Sequence, residues 1–180
     1  MKTCGGSSPC SAADVAHALS VARPHAWGHK VLSYNQEIHM RIFEWNETHA
    51  VHVPEVDDEH RQLFRLCDDL QRAMMAGAAS SEVQSIVDDL VIHTAKHFSH
   101  EEREMRAAGY SLYAWHHRQH HTARFSIRVL ERRIRRGDRD AAIELLDFLY
   151  GWLNDHIRLA DRMLGAYLRN HQRELSARAS

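Results

Sequence analysis

The sequence predicts an all-α protein that folds as an antiparallel, up-down-up-down four-helix bundle. The 180 residues include only three prolines and eight glycines, so helix breakers are sparse between residues 56 and 171. Apolar residues in this region recur at intervals of three and four, which is the spacing of one face of a helix. The segments between these periodic stretches are short, so helices that follow one another in sequence should pack antiparallel.

The first two helices have recognisable ends. The first is predicted from about Val56 to Met75, where an AGAASS segment stops it. The second starts near Ser81, and Gln84 three residues later completes a capping-box pattern. It ends at Gly109, since glycine is favoured just after the last turn of a helix.

The last two helices are bounded in the same way. The third is predicted from about Leu112 to Arg136, with Gly137 after it. Asp138 is predicted to cap the fourth helix, which reaches about His171. The bundle therefore occupies residues 41–172, and residues 173–180 form a C-terminal tail.

Residues 1–40 differ in composition from the bundle. The opening MKTCGGSSPCSAAD is small and polar, and Gly- and Ser-rich segments behave as flexible chains. We predict a disordered or weakly structured N-terminal tail.

Composition excludes several classes of function. The formal net charge of −1 gives no basic field for nucleic acid or an anionic membrane. No run of eighteen apolar residues is present, so no membrane span is predicted. The three cysteines have no CxxC spacing, which suits a reducing cytoplasm rather than a disulfide framework.

Histidine and carboxylate side chains interrupt the apolar stripes. Each predicted helix directs at least one histidine into its stripe, and two helices add a carboxylate, the second of these at the stripe's edge. The inward set is His60 on the first helix, His97 and Glu101 on the second, His116 and His120 on the third, and His156 with Asp161 on the fourth. By contrast, His117 and His121 continue into a face of arginines, which is predicted to be solvated.

This inward set predicts a metal centre. Burying an unpaired carboxylate costs several kcal/mol, and the stripes contain no Lys or Arg to compensate it. Five imidazoles and two carboxylates are too many for one tetrahedral zinc. They fit two ions of octahedral preference, bridged by the carboxylates, with one position open. Ligand type alone leaves iron, manganese and zinc as alternatives.

The same residues lie in blocks that resemble the hemerythrin family, specifically bacteriohemerythrins, over about residues 42–168. The blocks are FEWNETHAVHVPEVDDEH, HTAKHFSHEEREM, GYSLYAWHHRQH and WLNDHIRLAD. Together they carry all seven inward residues at positions that match the family's ligands. Three nearby positions depart from the family pattern without touching a ligand position: His52 replaces a usual glycine, Ser111 a usual turn proline and His93 a frequent tyrosine.

The resemblance implies a non-haem di-iron centre, with two iron ions (Fe2+/Fe3+) and an oxo or hydroxo bridge. One iron would take His116, His120 and His156. The other would take His60 and His97 and keep an open site, and Glu101 and Asp161 would bridge. Five apolar residues that flank the ligands are predicted to line the oxygen pocket: Phe98, Met105, Trp152, Leu153 and Ile157.

The leading functional prediction is reversible dioxygen binding for storage, delivery or sensing, by a monomer or weak oligomer that is not an enzyme. The alternatives are a di-iron oxidase, peroxidase or nitric-oxide-handling enzyme, and a redox-sensing module that acts through a partner. Ferritin-like oxidases use two E-x-x-H motifs and more carboxylates. The predicted helices contain no E-x-x-H motif, which favours binding over oxidation.

Overall fold

The computed structural model describes residues 43–179, and in this range it contains helices and no strand. The prediction for residues 1–40 lies outside the described residues. The helices are α1 (Pro54–Met75), α2 (Ser80–Ala107), α3 (Tyr113–Arg135), α4 (Asp140–His156) and α5 (Arg162–Ala179); a 3-10 turn covers Glu47–His49 and a π-helical turn covers Ile157–Asp161.

Helices α1 to α4 are arranged around a common core so that each packs against the next. α1 packs against α2, α2 against α3, α3 against α4, and α4 returns to α1. The predicted all-α, four-helix bundle is therefore confirmed. None of the described helices is long and apolar enough to cross a membrane.

The two ends of α2 differ in how well the sequence predicted them. Gly109 takes a left-handed φ of 66°, and the Tyr110 N–H then reaches the Met105 carbonyl at 2.8 Å, which is the bond that closes a Schellman end. The predicted capping box at the start is wrong. Ser81 already lies inside the helix, no side chain caps it, and the Gln84 amide instead donates to Asp88 at 2.6 Å.

Asp138, predicted to cap α4, lies one residue before the observed N-cap, Arg139, whose side chain makes no capping bond, but Asp138 still bonds the first turn. The Asp138 Oδ1 accepts a hydrogen bond from the Ala141 N–H at 3.3 Å. The same carboxylate pairs with the Arg133 guanidinium at 2.8 Å, so it links the end of α3 to the start of α4.

The fourth predicted helix is one continuous helical rod made of α4, the π-helical turn and α5. It continues to Ala179 rather than ending near His171, and its side chains beyond His171 are exposed. The inward apolar spacing of Leu149, Leu153 and Ala160 predicts that Met163 also faces inward, but Met163 is 41% exposed, whereas Leu164 is 1% exposed. A π-helical turn bonds each residue to the fifth along rather than the fourth, and this wider turn rotates every later side chain.

Two apolar clusters make up the core. The larger includes Leu63, Leu90, Ile127 and Leu149 and extends to Ile157. The smaller consists of Met105, Tyr110, Leu164 and Leu168. On α2, His97 and Glu101 lie between Val91 of the larger cluster and Met105 of the smaller one, and Asp161 lies between Ile157 and Leu164 in the same way.

The segment before α1 packs against the π-helical turn and α5. Arg162 donates to the Thr48 carbonyl at 2.6 Å, and Arg169 donates to the Val51 carbonyl. His52 takes a φ of 59°, a left-handed conformation that costs most residues about 1 kcal/mol but not glycine. A glycine here, which the hemerythrin resemblance implies, would adopt this conformation without that cost.

Candidate metal centre

Seven buried side chains bring their donor atoms together in the middle of the bundle. They form two groups in which all donor atoms lie within 4.8 Å of one another, one with three histidines and one with two. Both groups contain Glu101 and Asp161. The first group adds His116, His120 and His156, and the second adds His60 and His97. All seven predicted residues are thus brought together, and His117 and His121 are not among them.

The three-histidine group has nearly equal spacings. The Nε2 atom of His116 lies 3.1 Å from that of His120 and 3.0 Å from that of His156. The remaining Nε2 pair, His120 and His156, is 3.2 Å apart. Neighbouring ligands at about 2.1 Å from an octahedral ion lie about 3.0 Å apart. The three Nε2 atoms are therefore already spaced like three ligands on one triangular face of an octahedral coordination sphere.

The two-histidine group is more open. The His60 Nε2 lies 3.2 Å from Asp161 Oδ2, while the His97 Nε2 lies 3.8 Å from Glu101 Oε2. The ring centroids of His60 and His97 are 4.7 Å apart. With two imidazoles instead of three, this half leaves room for a further ligand.

The π-helical turn is what brings Asp161 into the cluster. Asp161 follows His156 by five residues, so a regular α-helix would turn the two side chains to different faces. Across the wider turn, the His156 Nε2 lies 3.0 Å from Asp161 Oδ1, and both side chains are buried. Asp161, predicted at the edge of the stripe, is therefore fully inside.

Unsatisfied buried atoms show that the donor set fits a metal. In the described part of the chain, several polar atoms of the cluster are buried without a hydrogen-bond partner. They are Nδ1 and Nε2 of His60, Nε2 of His97, Nδ1 of His116, and both carboxylate oxygens of Glu101 and of Asp161. Such atoms cost about 1–3 kcal/mol each when left unpaired. A cation between them would coordinate Nε2 and oxygen donors together.

The charges of the cluster also favour a cation. Burial alone would raise the pKa of Asp161, but the surrounding histidines, led by His156, hold it well below its ordinary value. Burial lowers the pKa of His116, yet Asp161 and Glu101 outweigh burial and raise that pKa to about 9. The carboxylates are therefore ionised, and they attract positive charge to the position that the Nε2 atoms surround.

Outer partners that the sequence reasoning missed orient three of the five histidines. The His97 Nδ1 lies 2.9 Å from Glu59 Oε2. The His120 Nδ1 lies 3.2 Å from Glu102 Oε1, and the His156 Nδ1 lies 3.1 Å from Gln119 Oε1. An acceptor at Nδ1 fixes the proton there, which leaves the Nε2 lone pair free to bind a metal.

These partners follow a rule that the sequence does carry. Each is the immediate neighbour of a cluster residue on one helix and bonds the histidine of the next helix in the ring. Glu59 precedes His60, Glu102 follows Glu101, and Gln119 precedes His120. One residue corresponds to a rotation of about 100° around a helix, which turns a side chain from the centre toward a neighbour. The offset alternates between −1 and +1 because successive helices are antiparallel.

Three other histidines lie next to the outer partners. Both His93 and His100 contact Glu59, through its carbonyl at 3.0 Å and its Oε1 at 3.0 Å respectively. His117, on the face predicted to be solvated, is 40% exposed, and its Nδ1 lies 3.2 Å from Glu102 Oε1. His121, on the other hand, is exposed as predicted.

The predicted pocket residues surround the cluster from more than one side. Phe98 stacks on His120 with centroids 4.0 Å apart, and Trp152 stacks on His156 at 4.2 Å. Leu153 and Ile157 belong to the larger apolar cluster, whereas Met105 belongs to the smaller one. All except the half-buried Trp152 are buried, so the donors have apolar surroundings at both ends.

Comparisons with known proteins agree with this geometry. A family model described as Hemerythrin HHE cation binding domain matches residues 51–168. The chain is 33% identical over 135 residues to a bacteriohemerythrin of Stenotrophomonas maltophilia, covering 73% of this chain and 85% of that protein. It is 31% identical over 119 residues to a myohemerythrin of Sipunculus nudus, covering 66% and 88%. A solved wild-type hemerythrin structure is similar with a TM-score of 0.64 and 26% identity, covering 69% of this chain and 96% of that one.

Proposed function

Because the chain belongs to the hemerythrin family of HHE cation-binding domains, we propose that it binds dioxygen reversibly at a non-haem di-iron centre, for storage, delivery or sensing. One observation carries the proposal. Five buried histidines and two buried carboxylates form two donor groups that share both carboxylates, which is the arrangement expected of two bridged ions.

The donor groups suggest how the ions are held. His116, His120 and His156 would bind one iron, and His60 and His97 would bind the other. Glu101 and Asp161 would bridge the two irons, since both residues belong to both donor groups. The two-histidine half, with fewer protein donors, would keep the position for dioxygen.

When bound, the irons would supply the electrons for dioxygen binding. The chain's own contribution is to orient donors and to exclude water. The orienting partners fix the Nδ1 protons of three histidines, so the Nε2 atoms face inward. Leu153 and Ile157 are each 1% exposed, and their apolar side chains keep bulk water and its protons away from the centre. Histidine-rich coordination also leaves fewer anionic donors than the carboxylate-rich oxidases have, which favours binding over turnover.

Metal analysis with an optical titration tests the proposal. Protein from iron-replete expression should contain two irons per chain. After anaerobic reduction, exposure to air should produce a charge-transfer band, and removal of oxygen should reverse it. His116→Ala should lose both iron and the band, and exposed His121→Ala should keep them. One zinc per chain, no metal, or a band that forms only with continuous consumption of a reductant would refute reversible binding.

A further inference from the structure

Glu102 is a buried carboxylate that lies outside the seven donor residues. Its side chain is 9% exposed, and a single oxygen, Oε1, takes every close contact. The Arg124 Nη1 lies 2.9 Å away. The Nδ1 atoms of His120 and His117 both lie 3.2 Å away, but only His120 is aligned as a hydrogen bond.

The position of Glu102 follows from its place beside Glu101. Consecutive residues of a helix point about 100° apart, so when Glu101 points to the centre, Glu102 points to the neighbouring helix α3. There it reaches the outer side of His120, whose Nε2 lies 3.2 Å from Glu101 Oε2. The two glutamates therefore lie on opposite sides of the same imidazole, Glu102 bonded to Nδ1 and Glu101 facing Nε2.

Arg124 distinguishes this contact from the one behind His97. The acceptor behind His97 is Glu59, and the ion pairs that Glu59 makes within the described residues are with histidines. Glu102 instead pairs with a guanidinium, which stays positively charged at all working pH values. The same guanidinium lies 5.1 Å from the centroid of Phe98, which stacks on His120. Arg124 can thus offset the negative charge that Glu102 places behind the histidine.

We propose that Glu102 and Arg124 form a positioning pair for His120, in which Glu102 fixes the ring and strengthens it as a donor and Arg124 limits that strengthening. The pair sets the metal affinity and reduction potential of the three-histidine half. Outer partners of metal-bound histidines change metal affinity by about 10–100-fold when they are lost. The potential part of this inference rests on the proposed di-iron function, but the affinity part holds for any divalent ion.

The pair makes predictions of opposite sign for its two members. Glu102→Gln keeps an oxygen that accepts from His120 but removes the negative charge, so Zn²⁺ and Co²⁺ affinity should fall and the midpoint potential of the iron form should rise. Arg124→Gln leaves the Glu102 charge uncompensated, so affinity should rise and the potential should fall. In the double variant both charges are gone, and the potential should return toward that of the unmodified protein.

Glu131→Gln is the matched control. Glu131 is also buried (7% side-chain exposure) and also pairs with arginines, Arg128 and Arg135, but it is not among the donors of the cluster. It should change neither affinity nor potential. Zn²⁺ and Co²⁺ affinities would be measured by chelator competition on metal-free protein, and potentials by spectroelectrochemical titration of iron-loaded protein.

Each outcome bears on the proposal. Opposite shifts from Glu102→Gln and Arg124→Gln, with an unchanged control, would support it. Shifts of the same sign, or an equal effect from Glu131→Gln, would show a merely structural role and overturn it. If Glu102→Gln does not fold, Arg124→Gln still decides the sign. If the unmodified protein binds Zn²⁺ as expected but never binds dioxygen, the proposed function fails while the positioning pair is still tested by the Zn²⁺ affinities.

Discussion

Two glycines of the same helical rod should respond in opposite ways to alanine. A Cβ atom at Gly165 would lie 2.5 Å from the backbone oxygen of Val51 and 3.1 Å from its Cβ. A Cβ atom at Gly151 would meet nothing within 4 Å. Gly165 is buried and Gly151 is exposed, so the pair separates close packing from helix propensity.

The expected magnitudes follow from these distances. Alanine is favoured over glycine inside a helix by about 1 kcal/mol, so Gly151→Ala should raise the free energy of unfolding by about that amount. Gly165→Ala has the same gain, but overpacking costs about 1–3 kcal/mol. The obstacle at 165 is backbone rather than a flexible side-chain end. It is also held in place, because the Val51 N–H donates to Asp57 Oδ1 at 2.8 Å and Arg169 binds the Val51 carbonyl.

We therefore expect Gly165→Ala to destabilise the protein by about 2 kcal/mol, at the upper end of the overpacking range after the helix gain is subtracted. Urea unfolding followed by circular dichroism, in one metal state for both variants, measures the difference. For a chain of this size about 1 kcal/mol shifts the melting temperature by about 2–4 °C, so the two variants should melt several degrees apart. Equal stabilisation by both substitutions would show that the segment before α1 does not approach the helix as closely as described.

Three further predictions concern the centre and a helix cap. His116→Ala should abolish metal binding by metal analysis, whereas exposed His121→Ala should retain it and change stability by no more than about 0.5 kcal/mol; equal losses would contradict the assignment of faces. Leu153→Ala should lower the free energy of unfolding in urea by about 2–5 kcal/mol. Under the proposed function it should also shorten the lifetime of the oxygenated form, measured by stopped-flow decay. An unchanged decay rate with intact iron would place the water barrier elsewhere. The Arg133 guanidinium lowers the pKa of Asp138. The carboxylate therefore stabilises the folded protein above its unfolded pKa of about 3.9, and this contribution is lost as pH falls through the lowered folded pKa. Asp138→Asn should lose less stability in acid than the unmodified protein, and an identical acid profile would argue against the pairing.

The apolar stripes were sufficient to predict the fold and most of the centre. His60, His97 and His116 lie in stripes of apolar residues at regular helical spacing, and this spacing alone was enough to predict that they face inward. The left-handed helix ends at Gly109 and Gly137 were also predictable from local sequence, because glycine takes a positive φ without a steric cost. Such features depend on residues within one or two turns of each other.

What the period could not predict depends on tertiary structure. The failed stripe position at Met163 and the inward position of Asp161 have one cause, the π-helical turn at Ile157–Asp161. Such turns occur frequently at functional sites, where local preference gives way to the needs of the site. The five-residue spacing between His156 and Asp161 was the available signal: two inward donors at that interval require a turn wider than an α-helix provides.

The orienting partners extend the same argument around the ring. Glu59, Glu102 and Gln119 lie one residue before, one after and one before a cluster residue on α1, α2 and α3. The alternation predicts the next partner one residue after His156 on α4, and that residue is Ile157. The Ile157 side chain cannot accept a hydrogen bond, and the Nδ1 of the next histidine in the ring, His60, is buried without a partner, as is that of His116. The ring of acceptors is therefore open at one step, between α4 and α1. This gap borders the two-histidine half. The His60 ring there is held by fewer partners, so the donor group is more open, and the apolar Ile157 side chain keeps water out.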